Sequence, residues 1–536
     1  MTMSTRAVSS GREISSSARA GRAQGNGSGG GARQRLRGLA PGPLAVLILG
    51  AVFTAALTPP VARALDKHIP PPTPGIESPA SRAPQLVRPL SPEDKAFLKE
   101  LSHRSFRYFW EQADPHTGLV LDRARTDGGP DDDKHAGAAS IAATGFGLTA
   151  VCIGADHRWV TRREARDRVR TTLRFFWEKA AQEHGWFYHF LDATTGERKF
   201  DSEVSSIDTA LLLAGVLTAR QAFHNDPQIV RLATQIYERV DFTWMLDGDS
   251  LLLLSHGWTP EKGFIKFRWD RYSEATILYL LAIGSPIHPI SAWSWYAWTR
   301  PSTNYDGFAY IEGGPLFINQ YSQAYIDFRG RREKLAPHID YFENAVQATL
   351  ANRALSLSLS RKFPGYSEDI WGITASDGPK GYMVWGRTSE PRDLDGTVVP
   401  SAPAGSLMFT PEISLPALRM MKEKFGELTW GRYGFADAFN PNTGWVSPYY
   451  LGIDVGITLL SAENLRNGAV WRWFMANPEP QDALTSVGLD PVEQTTPPVL
   501  LDPKGASTPG NAPPPGTVPK DPTATEPAPV EIGIDH

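Results

Sequence analysis

The sequence predicts an all-α fold in which two concentric rings of helices form an α/α toroid. About a dozen helix-like stretches recur along the central part of the 536-residue chain. Several are apolar nearly all round, such as 207–217, which is typical of a helix buried between other helices, and more amphipathic stretches separate them. Because no Pro/Ser-rich linker interrupts residues 93–478, we expect one catalytic domain over this range.

The first predicted helix begins at residues 91–94. Ser91 can cap it, Pro92 suits the first helical position, and the acids Glu93 and Asp94 suit the positive N-terminal dipole. Apolar residues follow at helical spacing until residues 114–118, which carry turn residues and end the helix.

Later helices are expected wherever apolar residues return at helical spacing. The predicted stretches are 138–153, 162–183, 203–224, 227–242, 272–283, 289–298, 315–328, 337–354, 412–425 and 452–466. The segments between them are rich in Gly, Pro, Asp and aromatic residues, and we interpret them as loops.

The N-terminal end differs from this central part in composition. Residues 1–42 are rich in Ser, Gly, Ala and Arg, which predicts disorder. The apolar run 43–57 and the small-x-small site 62–64 complete a basic leader plus signal peptide over residues 1–64. The alternative is an uncleaved N-terminal anchor, a membrane tether through residues 43–57. In both cases we expect a periplasmic or extracellular protein.

Two further segments are predicted to lie outside the folded unit. Residues 65–92 are Pro-rich and are predicted to be a linker. Residues 479–536 are rich in Pro, Thr and Asp and are predicted to be a disordered tail.

Composition excludes several functions. The formal net charge of −4, without a basic cluster in the central part, argues against a nucleic-acid partner. Cys152 is the single cysteine, so an intrachain disulfide is excluded, and we expect a buried apolar role for it. His256 and His288 have no partners at metal-ligand spacing, so we predict neither a metal nor a cofactor.

Acids and tryptophans suggest where the chemistry lies. Asp201, Glu203 and Asp208 fall within eight residues at the start of an apolar helix, where they can cap the helix or line a cleft. Aromatic rings stack on sugar rings but also fill cores, and both interpretations stay open for the tryptophans that crowd one stretch. These are Trp258, Trp269, Trp293, Trp295 and Trp298.

A set of ordered motifs resembles one known family. The motifs are 201–213, Tyr272-Ser-Glu-Ala275, 281–286, Trp371-Gly-Ile-Thr-Ala-Ser-Asp-Gly-Pro379, 395–397, 410–413 and Tyr450-Leu-Gly-Ile-Asp-Val-Gly456. Over residues 95–475 they resemble the glucoamylase-like domain of bacterial endo-β-1,2-glucanases (glycoside hydrolase family 144). A related domain occurs in cyclic β-1,2-glucan synthases.

The resemblance implies an (α/α)6 barrel and an inverting glycoside hydrolase that acts on a β-glucan by endo-hydrolysis of β-1,2-glucan. It implies an oligosaccharide or polysaccharide substrate, and we expect a monomer. Three alternatives stay open on the same fold: an exo-acting β-glucosidase, a transglycosylase or lyase, and a non-catalytic polysaccharide-binding protein.

Inverting hydrolysis requires a proton-donating acid and a carboxylate base about 6.5–9.5 Å apart. Glu274 is the predicted acid, because aromatic and apolar neighbours around the start of the 272–283 helix would raise its pKa. Against this, Arg271 and the helix N-terminus favour the ionised form, and the alternative is a capping glutamate at the surface.

The base is open among Asp201, Glu203, Asp208 and Asp454. For the first three, we expect Asp201 or Ser202 to cap the helix and Glu203 to lie in its first turn, where an acid is stabilised as an anion. Asp454 lies among Gly and Tyr residues at the entrance to a buried helix, where it can serve the cleft or cap the helix.

Substrate-binding residues are predicted from composition and from the resemblance. They are Trp269, Arg271, Tyr272, Trp371, Asp377, Tyr382, Arg387 and Tyr449. Asp377 has a second interpretation as a turn residue before Gly378. Glu463 is predicted to be structural, holding Arg466 or Asn464.

Overall fold

A computed structural model of the protein describes residues 89–131, 135–247, 250–389 and 391–491, and helices dominate this part. They are α1 (Pro92–Glu111), α2 (Ile141–Asp156), α3 (Arg162–Glu178), α4 (Ser206–Ala222), α5 (Pro227–Glu238), α6 (Thr276–Ile283), α7 (Ser294–Ala297), α8 (Tyr321–Tyr325), α9 (Tyr341–Ser358), α10 (Ser401–Gly405), α11 (Pro411–Thr429), α12 (Gly452–Asn467), α13 (Ala469–Met475) and α14 (Pro478–Ser486). The predicted helix-rich fold class is confirmed. The predicted leader 1–64 lies outside the described residues, as do most of the predicted linker and tail.

The start of α1 follows the predicted chemistry. Ser91 Oγ accepts a hydrogen bond from the backbone N–H of Asp94 at 3.0 Å, and Pro92 occupies the first helical position. Both observations confirm the predicted cap.

Buried and amphipathic helices alternate along the chain. Nearly every residue of α2, α4, α6 and α12 is buried, whereas α3 and α5 bury only one face. The buried helices pack side by side in the order α12, α2, α4 and α6, with α1, α3 and α5 packed against them. The starts of these four helices carry much of the candidate site.

Close approach of two helices depends on two glycines. A Cβ atom on Gly215 in α4 would lie 2.1 Å from the carbonyl oxygen of Gly145 in α2. A Cβ atom on Gly145 would lie 2.3 Å from the carbonyl oxygen of Leu211. Only residues without a side chain let the two backbones pack at this distance.

Within residues 89–491, apart from the short gaps named above, seventeen short strands occupy segments that the sequence predicts as loops or helix ends. They are β1 (Arg123–Arg125), β2 (Ala138–Ser140), β3 (Gln182–Glu183), β4 (Trp186–Phe187), β5 (Phe190–Asp192), β6 (Val204–Ser205), β7 (Gly257–Thr259), β8 (Gly263–Phe264), β9 (Ser302–Tyr305), β10 (Phe308–Ile311), β11 (Ser376–Gly378), β12 (Gly381–Met383), β13 (Trp430–Gly431), β14 (Gly434–Phe435), β15 (Phe439–Asn440), β16 (Trp445–Val446) and β17 (Tyr449–Leu451). Strands of two to four residues are too short to show an alternating pattern in sequence.

All the strand pairs are antiparallel, and some join distant parts of the chain. Pairing of β1 with β17 brings Arg123 opposite Leu451, and β6 pairs with β7. β2 pairs with β5, and β11 with β12 forms a hairpin. These pairs hold the connecting segments against the starts of the buried helices.

Several predicted boundaries are wrong. α4 begins at Ser206 and is capped by Ser205, so neither Asp201 nor Ser202 caps it, and Glu203 precedes it. α6 begins at Thr276 rather than at residue 272. In the stretch predicted as helix 315–328, a 3₁₀ turn over Leu316–Asn319 precedes the short α8.

The packed chain also extends beyond residue 478. α14 begins there, and Leu484, Val487 and Leu489 are buried, so residues 479–491 belong to the folded unit rather than to a disordered tail. No helix in the described ranges is both long and apolar enough to cross a membrane.

The tryptophan-rich stretch divides between core and surface. Trp295 and Trp298 are buried, Trp293 is 66% exposed, and Trp258 and Trp269 are partly buried against the main core. Cys152 is buried in that core, as predicted.

Gly215→Ala tests the α2–α4 contact. Because the new methyl group would meet backbone rather than a mobile side chain, we expect it to destabilise the protein by roughly 2 kcal/mol or more. Urea unfolding measures the change. The control is Gly426→Ala in α11, whose methyl group has 3.6 Å of room and should stabilise by roughly 0.5–1 kcal/mol. Equal effects of the two variants would contradict the close approach.

Candidate active site

Glu274 lies in the turn before α6, with its backbone carbonyl accepting a hydrogen bond from Ser322 Oγ of α8. Burial raises the pKa of Glu274 to about 7, and the negative charge of Asp208 contributes to this rise. At neutral pH the side chain therefore carries a proton for a substantial part of the time. The predicted proton donor has the electrostatic setting that this role requires, although it precedes the helix instead of opening it.

A second part of the site consists of His189 and the carboxyl groups of Glu203 and Asp208. His189 Nδ1 lies 3.0 Å from Glu203 Oε1, and Nε2 lies 3.6 Å from Asp208 Oδ2. Asp208, in the first turn of α4, also accepts a hydrogen bond from Ser205 Oγ. One imidazole ring thus bridges the two acids.

The bridge shifts the pKa of His189 and the pKa of Glu203 in opposite directions. Burial lowers the pKa of His189, but the charge of Asp208 and the hydrogen bond to Glu203 outweigh it and raise the pKa to about 9. In return, the hydrogen bond and charge of His189 outweigh burial and lower the pKa of Glu203. The predicted anionic character of this segment therefore comes from an imidazolium more than from the helix dipole.

The same three residues could ligate a metal ion by spacing alone, since one ligand atom from each lies within 4.8 Å of the others. The same two carboxylates raise the pKa of His189 to about 9, so a metal ion would have to displace the proton that His189 holds at neutral pH.

Asp454 and Asp437 form a buried carboxyl pair, with exposed fractions of 5% and 4%. Asp454 lies in the first turn of α12, and Asp437 lies between β14 and β15. Their side chains hydrogen-bond to each other. Burial raises the pKa of Asp454 to about 6 and that of Asp437 well above its usual range.

Asp377 joins this pair to the β1–β17 sheet. Its backbone N–H donates to Asp437 Oδ2 at 2.7 Å, and its Oδ2 accepts from Ser447 Oγ at 3.0 Å. Arg123 lies 3.8 Å from Asp377 Oδ1 and over the ring of Tyr449, 5.2 Å from the centroid. Asp377 is thus a buried hydrogen-bonding residue of the site rather than a surface turn residue.

Asp122 connects the pair to the histidine bridge. Arg123 Nε donates to Asp122 Oδ2 at 3.1 Å, and the backbone N–H of Gly452 donates to the Asp122 carbonyl at 2.7 Å. The charge of Asp122 helps to raise the pKa of His189. The start of α12 and the bridge therefore belong to one electrostatic neighbourhood.

Two tyrosines complete the arrangement. Tyr321 of α8 donates to Asp454 Oδ1 at 3.5 Å, and burial followed by the charges of Asp454, Asp437 and Glu274 raises its pKa. Tyr321 hence lies near both the acid and the carboxyl pair. Tyr382 of β12 is 48% exposed, and its pKa is raised by burial and by the charges of Asp454, Asp437 and other acids.

A separate loop carries Arg387. Its guanidinium donates to the carbonyl of Gly313 at 3.1 Å. Glu312 holds the adjacent backbone, since its Oε1 accepts from the N–H groups of Thr388 at 2.8 Å and Ser389 at 3.1 Å. The buried carboxylate of Glu312 therefore positions the segment that carries Arg387. The residues next to Arg387 in the sequence do not predict this contact.

Some predicted substrate-binding residues do not line the site. Trp371 is fully buried in a core cluster, and its ring cannot stack on a sugar. Tyr272 is 2% exposed and its hydroxyl donates to Asn319 Oδ1 at 2.8 Å, so it holds α6 in place. Asp201 is exposed with a left-handed backbone (φ 50°), which makes it a turn residue rather than a candidate base.

Trp269 and Arg271 lie along the segment that leads to Glu274. The Trp269 indole donates from Nε1 to Ser206 Oγ at 2.9 Å and stacks on His256 with centroids 3.8 Å apart. Arg271 is exposed, and its backbone pairs with Thr299. Both remain available to a ligand at the edge of the site.

Sequence reasoning missed His189, Asp437 and Tyr321. A signal existed for two of them: His189 follows Trp186-Phe-Tyr188 and Asp437 stands in Gly434-Phe-Ala-Asp-Ala-Phe439, each a polar residue within an apolar run. Tyr321 has no comparable signal, because its role depends on its distance from residues far away in sequence.

The site therefore combines two kinds of carboxyl group. Glu274 and Asp454 have pKa values raised to about 7 and about 6, so near neutral pH one can donate a proton and the other can accept one. The pKa of Glu203 is lowered by His189, and the carboxyl groups of Glu203 and Asp208 beside that ring can accept hydrogen bonds from hydroxyl groups. This arrangement suits acid–base chemistry on a hydroxyl-rich substrate.

Comparisons with known proteins agree with this chemistry. The family model described as "Glycoamylase: Putative glucoamylase" matches residues 266–478. A "putative glucoamylase" of Bacteroides caccae is 31% identical in a structural match that covers 74% of this chain and 100% of that chain, with a TM-score of 0.70. An endo-β-1,2-glucanase of Chitinophaga pinensis, solved with sophorotriose and glucose, is 29% identical over 75% of this chain and 99% of that chain, also with a TM-score of 0.70.

A curated relative from Parabacteroides distasonis is an exo β-1,2-glucooligosaccharide sophorohydrolase that acts at the non-reducing end. It is 30% identical over 432 residues, which are 74% of this chain. The match spans 58% of the length of that relative.

Glu274→Gln tests the raised pKa of this residue through stability. The folded state holds the Glu274 proton up to about pH 7 while the unfolded state releases it near pH 4.5, so the wild type loses stability as pH rises between these values. Glutamine does not titrate in this pH range, so the variant does not lose stability in this way. We expect the stability difference, variant minus wild type, to grow by about 2 kcal/mol between pH 5 and pH 8.

Urea unfolding at the two pH values measures this difference. Glu427→Gln, at an exposed position of α11, is the control and should show no such growth. A difference that stays constant for Glu274→Gln would show that the carboxyl group titrates normally.

Proposed function

We propose that this chain, which belongs to the Glycoamylase family, is a glycoside hydrolase that cleaves β-1,2-glucan with inversion at the anomeric carbon. The predicted family resemblance is confirmed by the matches to glucoamylase-like proteins and β-1,2-glucan hydrolases. Because the relatives from Chitinophaga pinensis and Parabacteroides distasonis are hydrolases of β-1,2-linked glucose chains, we propose the same substrate class for this chain.

One observation carries the proposal. Glu274 has its pKa raised to about 7 by burial, and its charge and that of Asp454 both help to raise the pKa of Tyr321, which lies between α6 and α12 in the chain. A protonated acid and a nearby carboxylate are the two groups that inverting hydrolysis requires.

In the proposed reaction, Glu274 donates its proton to the glycosidic oxygen as the bond from that oxygen to the anomeric carbon breaks. Water attacks the anomeric carbon from the opposite face, and Asp454 accepts the proton that this water releases. Glu274 ends as a carboxylate and Asp454 as a carboxylic acid. Exchange with solvent returns the proton to Glu274 and removes it from Asp454.

Asp454 suits the base role better than the other candidates. A base is effective when its pKa lies near the working pH, and the pKa of Asp454 is raised to about 6. The pKa of Glu203 is lowered by His189, which makes its carboxylate a weaker base. Asp208 is engaged by His189 and Ser205 and contributes its charge to Glu274.

The remaining residues are proposed to bind the sugar chain. Glu203 and Asp208 accept hydrogen bonds from hydroxyl groups, and the rings of Tyr382, Tyr449 and Trp269 offer faces to the apolar side of glucose. Asp377, Arg387 and Arg271 supply further polar contacts. The observations behind this assignment are the exposure of Tyr382 and the location of Asp377 beside the carboxyl pair.

The finer fold is also a proposal. The alternation of buried and amphipathic helices, with α12, α2, α4 and α6 packed in sequence, supports an (α/α)6 barrel whose inner ring contains these buried helices. An experimental structure would test the ring closure.

Two modes of cleavage are proposed, in order of preference. Endo-hydrolysis is favoured by the relative from Chitinophaga pinensis, which matches this chain over 99% of its own length. Exo-hydrolysis that releases sophorose is the second candidate, favoured by the curated relative from Parabacteroides distasonis. A ladder of oligosaccharides early in the reaction indicates the first mode, and sophorose alone indicates the second.

Incubation of the purified protein with linear β-1,2-glucan tests the proposed function. We expect shorter oligosaccharides, and anomer-resolved NMR should show that the new reducing ends are first formed as the α-anomer, since inversion converts the β-linkage. Failure on every member of a β-glucan panel would contradict the reaction class, and a first-formed β-anomer would contradict inversion.

Matched variants serve as controls in the same assay. Glu274→Gln and Asp454→Asn are each expected to lower kcat by about 10²–10⁴-fold. Glu427→Gln and Asp482→Asn change the same residue types at exposed positions of α11 and α14 and should keep wild-type activity. Asp454→Asn with wild-type activity would remove Asp454 from the base role.

We also propose that the chain is exported and acts as a monomer in the periplasm or outside the cell. The basic leader, the apolar run 43–57 and the small-x-small site support export. N-terminal sequencing of the exported protein should find a start at or just after Ala64. A start near residue 1 in a membrane-bound fraction would support the N-terminal anchor instead.

A further inference from the structure

One oxygen of the buried Asp437 carboxyl group lacks a hydrogen-bond donor. Its Oδ2 accepts the backbone N–H of Asp377 at 2.7 Å, and its own N–H donates to the Tyr449 carbonyl at 2.9 Å. Its Oδ1 is buried, and among the described residues no N–H or hydroxyl group donates to it. The same holds for Oδ2 of Asp454.

These two buried oxygens belong to carboxyl groups that hydrogen-bond to each other. Two carboxylates cannot form such a bond, because each would offer only acceptors and their charges would repel. A single proton between them satisfies both oxygens at once. The geometry therefore requires that one member of the pair is a carboxylic acid.

The neighbours indicate which carboxyl group holds this proton. Asp454 lies in the first turn of α12, where the helix dipole favours an anion, and the hydroxyl groups of Tyr321 and Ser401 also stabilise its ionised form. Asp437 lies outside any helix, and no hydroxyl group among the described residues donates to its carboxyl oxygens. The charge of Asp377 disfavours ionisation of both carboxyl groups, so a second anion in the pair is unfavourable. The proton belongs on Asp437.

Other titratable groups around the pair are consistent with this assignment. Tyr382 is near both carboxyl groups, and its hydroxyl stays neutral because its pKa is raised. Arg123 is a cation close to the carboxyl pair. It lies 3.8 Å from Asp377 and forms an ion pair with Asp122. It compensates those two acids rather than Asp437.

A small cavity lies behind the pair. Its volume is about 20 Å³, enough for one water molecule, and Asp437, Asp454, Ser401, Ser105 and Tyr433 contribute to its lining. Because this cavity has room for one water molecule, solvent can do little to replace a hydrogen bond that is lost on this side of the carboxyl pair.

We propose that Asp437 keeps its proton throughout the reaction and donates it in a hydrogen bond to Asp454, which makes Asp437 a positioning residue for the proposed base. This inference rests on the proposed function, in which Asp454 activates water. The hydrogen bond orients the Asp454 carboxylate and leaves its other oxygen for water. It also stabilises the ionised base.

Three variants separate this role from the alternatives. Asp437→Asn keeps a donor of the same shape without a charge, so kcat/KM should stay within about tenfold of wild type, with its acidic limb at nearly the same pH. Asp437→Ala and Asp437→Leu remove the donor. For these, the acidic limb of kcat/KM should move up by about one pH unit because the base loses a bond that favours its ionised form.

The outcomes that overturn the proposal are specific. If Asp437→Asn is as inactive as Asp454→Asn, Asp437 acts as an anion and the assignment is wrong. If both donor-free variants lower kcat while the acidic limb stays at the wild-type pH, Asp437 has only a structural role. Asp482→Asn, on the exposed side of α14, serves as the control for an Asp→Asn change.

A second readout does not depend on activity. Protonated Asp437 in the folded state means that wild-type stability falls as pH rises above the usual aspartate pKa, because only the unfolded state releases this proton. Urea unfolding should therefore show a stability difference, Asp437→Asn minus wild type, that grows from pH 5 to pH 8. A constant or shrinking difference refutes the protonated state. If instead wild type fails on every β-glucan while this difference grows, the proposed function fails and the carboxyl pair remains.

Discussion

Burial of several carboxyl groups around one cleft is the constraint on which this site depends. A buried carboxylate is costly unless it gains a partner, and a carboxyl group without a cation tends to keep a proton. Glu203 and Asp208 have His189, and Asp122 and Asp377 have Arg123. Within the part of the chain that the structure describes, Glu274, Asp454 and Asp437 form no ion pair, and all three have raised pKa values.

This division gives the two kinds of acid different uses. Acids paired with a cation are favoured as hydrogen-bond acceptors, which suits contacts with sugar hydroxyl groups. Acids whose pKa is raised can exchange protons near neutral pH, which suits catalysis. The electrostatic roles therefore follow from which acids the fold places beside His189 or Arg123, and not from any intrinsic difference among the side chains.

The buried helices bring these groups together. Asp208 lies in the first turn of α4, Asp454 in the first turn of α12, and Glu274 in the turn before α6. Because α12, α2, α4 and α6 are packed as neighbours, their starts can meet at one site. Gly145 and Gly215 allow the closest of these contacts, and the short strands attach the connecting segments around it.

Much of the helical fold could be predicted from sequence, because helical periodicity and caps are local. The cap at Ser91 and a structural Glu463 that holds Arg466 or Asn464 are predicted from neighbouring residues, and the structure confirms the cap and shows the ion pair of Glu463 with Arg466. Trp371 and Tyr272 were assigned wrongly because an aromatic residue that fills a core has the same local sequence signature as one that stacks on a sugar. The short strands escaped prediction because each depends on a partner elsewhere in the chain.

The sequence by itself determined the helix-rich class and the family resemblance, and it identified the acids Glu274 and Asp454 as candidates. Each of these conclusions depends on local residue patterns or on motifs in a fixed order. Only the tertiary structure decided which acids are anions and which hold protons. The physical reason is that a pKa depends on burial and on charges a few ångströms away. His189 and Asp437, which set those charges, come from segments that sequence order keeps apart and folding brings together.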